Sequence, residues 1–150
     1  MADIKSQEER SKNMAAIKSR NTGPEVFLRK KLFSAGLRYR LYSGKVPGHP
    51  DLWLKQYNTA IFIHGCFWHR HNNCRYAYTP KSRTEFWNNK FDANVKRDKK
   101  VQSDLYSSGI KCLVVWECTI KRMQKDPTVC TDVIRSICDF LNTRDLFLEL

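Results

Sequence analysis

The chain has 150 residues, with 27 Lys and Arg against 15 Asp and Glu and a formal net charge of +12; that length suits one domain with a real core over residues 1–150 and leaves no room for two. No stretch approaches the roughly 20 apolar residues of a membrane span, and the polar start lacks a signal-peptide core, so a cytoplasmic protein is expected rather than a membrane or secreted one. The charge is confined: residues 1–50 hold 11 basic and 4 acidic side chains, residues 51–118 hold 11 and 6, and residues 119–150 hold 5 of each. A solubilising surface needs no such confinement. A polyanionic partner does, because counterion release drives its binding, although an acidic membrane surface would serve the same charge.

Ser6-Gln7-Glu8-Glu9 has capping-box spacing and predicts a short basic helix to about Ser19, within an N-terminal segment of residues 1–20. Thr22-Gly23-Pro24-Glu25 is a second helix start, with Val26, Leu28, Leu32 and Phe33 as apolar positions and Gly36 as C-cap. Leu37, Tyr39 and Leu41 alternate with Arg38 and Arg40, which reads as a strand. A turn-rich run from Ser43 to Pro50 delivers the chain to Asp51. Leu52–Leu54 and Thr59–Ile63 read as paired strands, and residues 64–83 as an irregular loop rich in His, Cys and aromatics. Thr84 opens a helix to about Ser107, with a break midway allowed, and Gly109 ends it. Ile110–Trp116 is a nearly continuous apolar run, hence a buried strand, and Val129–Leu141 a last amphipathic helix. The order α-α-β-β-β-α-β-α predicts an α/β fold, a mixed sheet flanked by helices.

Three constellations could carry chemistry. Cys66, His69, His71 and Cys74 crowd one loop, and Cys118 follows the buried strand. A structural zinc needs four N or S ligands in a tetrahedron, and Cys66, His71, Cys74 and Cys118 meet that count. Cys112, Cys130 and Cys138 sit at apolar positions and read as small hydrophobes. Phe67-Trp68 and Phe86-Trp87 are adjacent aromatic pairs; either all pack under the loop, or some stack against bases of a nucleic-acid partner. Asp51 is presented at a strand end, and Glu25 sits in a first helical turn where a capping role is the default. In a basic protein, carboxylates so placed are where Mg²⁺ would be held against a phosphodiester.

These residues together resemble the very short patch repair (Vsr) endonucleases. The resemblance runs through Arg10-Ser11-Lys12-Asn13-Met14, Asn21-Thr22 with Glu25, Pro47-Gly48-His49-Pro50-Asp51, Phe62 to Cys74, Arg83-Thr84-Glu85-Phe86-Trp87, Asn94-Val95 with Arg97-Asp98, and Val115-Trp116-Glu117-Cys118. It implies a restriction-endonuclease-like (PD-(D/E)XK) fold with a structural zinc loop over residues 64–83. It further implies Asp51 as the principal Mg²⁺ ligand, helped by the Ile63 backbone carbonyl and, through water, by Glu25. His69 becomes the general base or acid, oriented by Asp98, and His64 a donor to the phosphate. The resemblance, and not spacing, assigns His69 to chemistry and His71 to zinc. Phe67, Trp68 and Trp87 become a wedge beside a T:G mismatch, Met14 a minor-groove contact, and Lys90 and Asn94 readers of the mismatched pair. The expected reaction is a nick 5′ to the mismatched thymine in duplex DNA, by a monomer working alongside a cytosine-5 DNA methyltransferase. Rival expectations are an enzyme cutting matched duplex, a catalytically silent DNA-binding relative, and a zinc-stapled module for a protein partner.

Overall fold

The computed structural model describes residues 21–150. The expected helix within residues 1–20, with Met14, lies outside the described residues. Thr22 caps helix α1 (Gly23–Ser34), its hydroxyl accepting from the Glu25 N–H at 3.3 Å, and Pro24 sits in the first turn where no N–H is needed. The helix closes with Gly36 at φ +91° and a Leu37 N–H to Leu32 carbonyl bond, a left-handed cap that glycine adopts without strain. That bond removes Leu37 from the expected strand. Strand β1 is only Arg40–Leu41.

β1 pairs antiparallel with β2 (Leu52–Leu54), and β2 antiparallel with β3 (Thr59–His64), around a single 3-10 turn at Lys55–Tyr57 closed by Asn58 in the left-handed region. Helix α2 (Thr84–Ser107) crosses to β4 (Lys111–Trp116), which lies parallel to β3 in the register His64 opposite Trp116. α2 runs unbroken for 24 residues, without the midway break the sequence allowed. Two further elements were not expected. Helix α3 (Glu117–Lys125) begins directly after β4, and β5 (Phe147–Glu149) adds in parallel to the far side of β4. Between them α4 (Pro127–Leu141) starts two residues earlier than its apolar face suggested, because Asp126 caps it by accepting from the Thr128 N–H. The result is a five-stranded mixed sheet in chain order, β1 to β5.

Alternation along β3 and β4 divides the core by sheet face. Leu52, Leu54, Ile61, Leu113 and Val115 pack against α1, α3 and α4 through Leu28, Leu32, Ile120, Met123 and Ile137. Ala60, Phe62, Cys112, Val114 and Trp116 face the other way, beneath Leu105 and Cys66. Each fully buried Leu or Ile contributes about 1.5–3 kcal/mol relative to exposure, so the sheet is a stiff platform. Its importance for function is positional. β2 begins beside the end of β3, so Asp51 and His64 arrive at one edge, under α2.

Candidate active site

An open pocket of about 270 Å³ at that edge is lined by Asp51, Ile63, His64, His69, Arg97 and Asp98, with Gly48 and Val101 closing one wall. Gly48 has φ +81°, and a Cβ there would lie 2.4 Å from the Val101 Cγ1, so only glycine lets the Pro-Gly-His-Pro turn press against α2. That turn aims Asp51. Its Oδ2 accepts from the Ile63 N–H at 2.7 Å, which sets the carboxylate against the backbone of residue 63. Burial pushes the Asp51 carboxyl up from 3.8 to about 6; the Ile63 N–H opposes this, and the nearby negative charge of Glu25 adds to it.

Glu25 is 2% exposed. Its Oε2 accepts from the Asn21 N–H at 3.1 Å, the Tyr42 hydroxyl donates to Oε1, and Arg29 lies 3.6 Å from Oε1. The capping-box expectation is therefore met one residue upstream, on Asn21 rather than Thr22. A buried carboxylate and a half-buried one coupled in this way form an oxygen-donor set that suits a hard divalent cation such as Mg²⁺.

Across the pocket, the His69 Nδ1 is 2.7 Å from the Asp98 Oδ2. The His64 ring stacks on that of His69, with centroids 3.9 Å apart and planes 4° from parallel. Burial, then the neighbouring His69, pulls His64 down to about 4, so it is neutral near pH 7. The ligand atoms of His64, His69 and Asp98 lie within 4.8 Å of one another. In-plane lone pairs of parallel rings do not converge on one ion, however, so the trio suits proton transfer better than metal binding.

The second cluster differs in kind. One donor atom each from Cys66, His71, Cys74 and Cys118 lie mutually within 4.8 Å, and the Cys118 Sγ is 3.4 Å from the His71 Nδ1. A tetrahedron with bonds of about 2.3 Å sets its sulfurs about 3.8 Å apart, so the three thiols and one imidazole fit zinc. The Cys118 N–H, in the first turn of α3, points at the Cys66 Sγ at 3.4 Å and so favours the Cys66 thiolate. Burial pushes the Cys66 thiol up to about 12, which a cation at the centre would reverse. His71 stacks on Trp116 at 4.1 Å, tying the loop to the end of β4. The other cysteines behave as expected: Cys112 is buried, and Cys130 and Cys138 pack against the core.

A third group is a wall of rings on the loop and on α2. Phe67 meets Trp68 and Phe91 edge-on at 5.1 Å each, Tyr78 at 5.2 Å and Trp87 at 5.6 Å. Phe67, Trp68 and Trp87 are half-buried, whereas Phe86 and Tyr78 are exposed. The wall is thus packed from behind and open in front. Lys90 lies over Phe86 at 5.5 Å. Asn94 donates to the Trp68 carbonyl at 3.1 Å and accepts from Arg97, so it links the wall to the pocket.

The family model for the DNA mismatch endonuclease Vsr matches residues 2–75. The DNA mismatch endonuclease Vsr of Escherichia coli K12 is 42% identical over 125 residues, covering 83% of this chain and 80% of that protein. A type II nicking enzyme of Neisseria meningitidis serogroup A is 46% identical over 121 residues, 81% of this chain and 86% of its own. One from Xanthomonas oryzae is 40% identical over 120 residues, 80% and 88%. The chain belongs to the Vsr family. It is a DNA endonuclease, which accounts for the confined positive charge, and among the described residues no helix is long and apolar enough to cross a membrane.

Some residues at the Vsr-type site escaped the sequence reading. Tyr42, held at φ +50°, reaches Glu25 from 17 positions away, and no local pattern announces it. His49 and Arg97, present in the motifs of the resemblance but given no role there, line the pocket with Gln102. Gln102 was accessible in principle, since it lies one helical turn beyond Asp98 on the same face of α2.

Proposed function

We propose that this endonuclease nicks one strand of duplex DNA 5′ to the thymine of a T:G mismatch. The observation that carries the reading is the His69–Asp98 pair at 2.7 Å, sharing a pocket with Asp51. Asp51, the Ile63 carbonyl and, through water, Glu25 would hold Mg²⁺. When bound, that ion polarises the phosphodiester and offsets its charge. The chain's own groups do the rest. Asp98 accepts from the His69 Nδ1–H, fixing the tautomer that leaves Nε2 free to take or return a proton at the scissile phosphate. Neutral His64, stacked alongside, donates to a phosphate oxygen. The Cys66, His71, Cys74 and Cys118 set would hold a zinc with no open position, hence a structural one. Retention of Asp51, His69 and Asp98 in one pocket speaks against a silent DNA-binding relative.

For recognition, Phe67, Trp68 and Trp87 supply the wedge, with Lys90 and Asn94 beside it and Met14 on the N-terminal segment. A mismatched pair unstacks at lower cost than a Watson–Crick pair, so insertion can itself discriminate. Such mismatches arise when 5-methylcytosine deaminates, which makes a cytosine-5 methyltransferase the functional companion and the cell interior the place of action. The half-buried rings fit this reading, because they are too well packed for loose surface residues and too open for core.

A second reading, nicking of matched duplex, is favoured by relatives bearing the name type II nicking enzyme. Duplexes identical except for T:G, T:A or C:G at one pair separate the two. Cleavage of the T:G duplex alone supports the proposal, and equal cleavage of all three refutes it.

A further inference from the structure

We propose that Arg70 is a positioning residue that holds Phe67 at the recognition surface by binding two loop segments to helix α2. The proposal rests on the reading that Phe67 enters DNA. One side chain gathers four loop oxygens: Nη1 donates to the carbonyls of Phe67 at 3.3 Å and Tyr78 at 2.9 Å, and Nη2 to the Ala77 carbonyl at 2.8 Å and the Thr79 hydroxyl at 3.1 Å. The guanidinium lies 3.9 Å above the ring of Phe91, a buried residue of α2 that meets Phe67 edge-on. Arg70 itself sits at φ +54°, a conformation a bulky residue keeps only when its surroundings fix it.

The region needs such a brace. Residues 65–83 form no regular helix or strand, and the Tyr78 ring that contacts Phe67 is 62% exposed. Arg70 adds four hydrogen bonds to a tilted ring contact of 5.2 Å between the segments that carry Phe67 and Tyr78. A guanidinium has five N–H groups in a rigid plane. Here its hydrogen bonds point into the loop and one face is covered, so its role is to place the wedge, not to contact a phosphate. A lysine ammonium, with three donors on one point, could bridge two of these carbonyls but cannot reach all four oxygens or stack on Phe91 as a plane.

The test uses full-length protein carrying Arg70→Gln, Arg70→Lys or Phe67→Ala. Affinity for T:G and matched duplexes is measured without Mg²⁺ at several salt concentrations, and single-turnover nicking at saturating protein. Arg70→Gln is expected to weaken T:G binding by about 5- to 20-fold, the lower part of the range for losing a stacked ring. Matched-duplex affinity, the salt slope and the saturated rate should stay unchanged, with Arg70→Lys in between. A salt slope lowered by about one would mark a direct phosphate contact and overturn the proposal. So would intact T:G affinity with only a lower melting temperature, or loss of folding in both Arg70 variants. Full T:G preference in Phe67→Ala would sink the wedge reading and the brace together. Loss of preference in Phe67→Ala but not in Arg70→Gln would sink the brace alone.

Discussion

Replacing Asp51 with asparagine should stabilise the protein without Mg²⁺ while abolishing its cleavage. Burial raises the Asp51 carboxyl from 3.8 to about 6, so the folded state holds that proton more tightly than the unfolded chain does. A raised value contributes stability that is complete below 3.8 and is lost as pH rises through about 6. The rise from 3.8 to about 6 sets a ceiling of about 3 kcal/mol, at about 1.36 kcal/mol for each tenfold change in proton affinity. Asparagine keeps the acceptor for the Ile63 N–H and cannot ionise, so it escapes that loss. The advantage of Asp51→Asn over the parent should therefore widen between pH 5 and pH 7.5, by at most about 1.4 kcal/mol. Urea unfolding of both proteins in Mg²⁺-free buffer measures it, and effects of pH on the cysteine cluster cancel in the difference. Adding 10 mM Mg²⁺ should then restore the parent by about 1.4 kcal/mol for a site of millimolar affinity, and leave the variant unmoved. An advantage independent of pH, or equal stabilisation of both by Mg²⁺, would refute the reasoning.

Further expectations follow from the same geometry. His69→Ala should slow single-turnover nicking by about 10²- to 10⁴-fold with duplex affinity retained; an unchanged rate would remove His69 from the chemistry. Cys118→Ser should lower the melting temperature and solubility, and elemental analysis of the parent should find one zinc per chain. The apparent Mg²⁺ affinity, read from nicking rates, should weaken about tenfold per pH unit below about 6, as protons compete for Asp51. Trp68→Ala should keep the fold yet lose about 5- to 150-fold in T:G affinity; a folded variant with full T:G preference would rule out a wedge role for Trp68.

Legibility from sequence followed the range of the interactions. The β2–β3 pair and β4 were readable because alternation and an apolar run are local signals. The cysteine cluster was readable in part because Cys66, His71 and Cys74 sit within nine positions, but the choice of His71 over His69 came from the family resemblance. α3 was missed because it leaves β4 with no intervening turn residue. β5 was missed because three residues at the end of the chain carry too short a pattern, although Glu149 accepts from the Trp116 indole at 2.8 Å. The alternation over residues 37–41 misled for a physical reason. Only Arg40 and Leu41 pair with β2, opposite Trp53 and Leu52, and Leu37 is spent closing α1. The His69–Asp98 contact spans 29 positions and was placed only by family resemblance.

The segment His64 to His71 bears a different duty at almost every position, and the fold separates them by anchoring two of its residues. Cys66 and His71 are drawn to Cys118 at the start of α3. Turns closed by the Gly65 and Cys66 carbonyls then leave His69 to meet Asp98, and Phe67 and Trp68 to meet α2. If that cluster holds a structural zinc, the ion is the common support of chemistry and recognition, although it touches neither the phosphate nor the bases. Stripping it should then degrade mismatch affinity and nicking rate together, whereas Asp51→Asn should remove the rate alone. Parallel loss in the first case and separate loss in the second would locate the coupling in the loop itself. Affinity surviving complete removal of the metal would mean that packing of the rings on α2 suffices to hold the recognition surface.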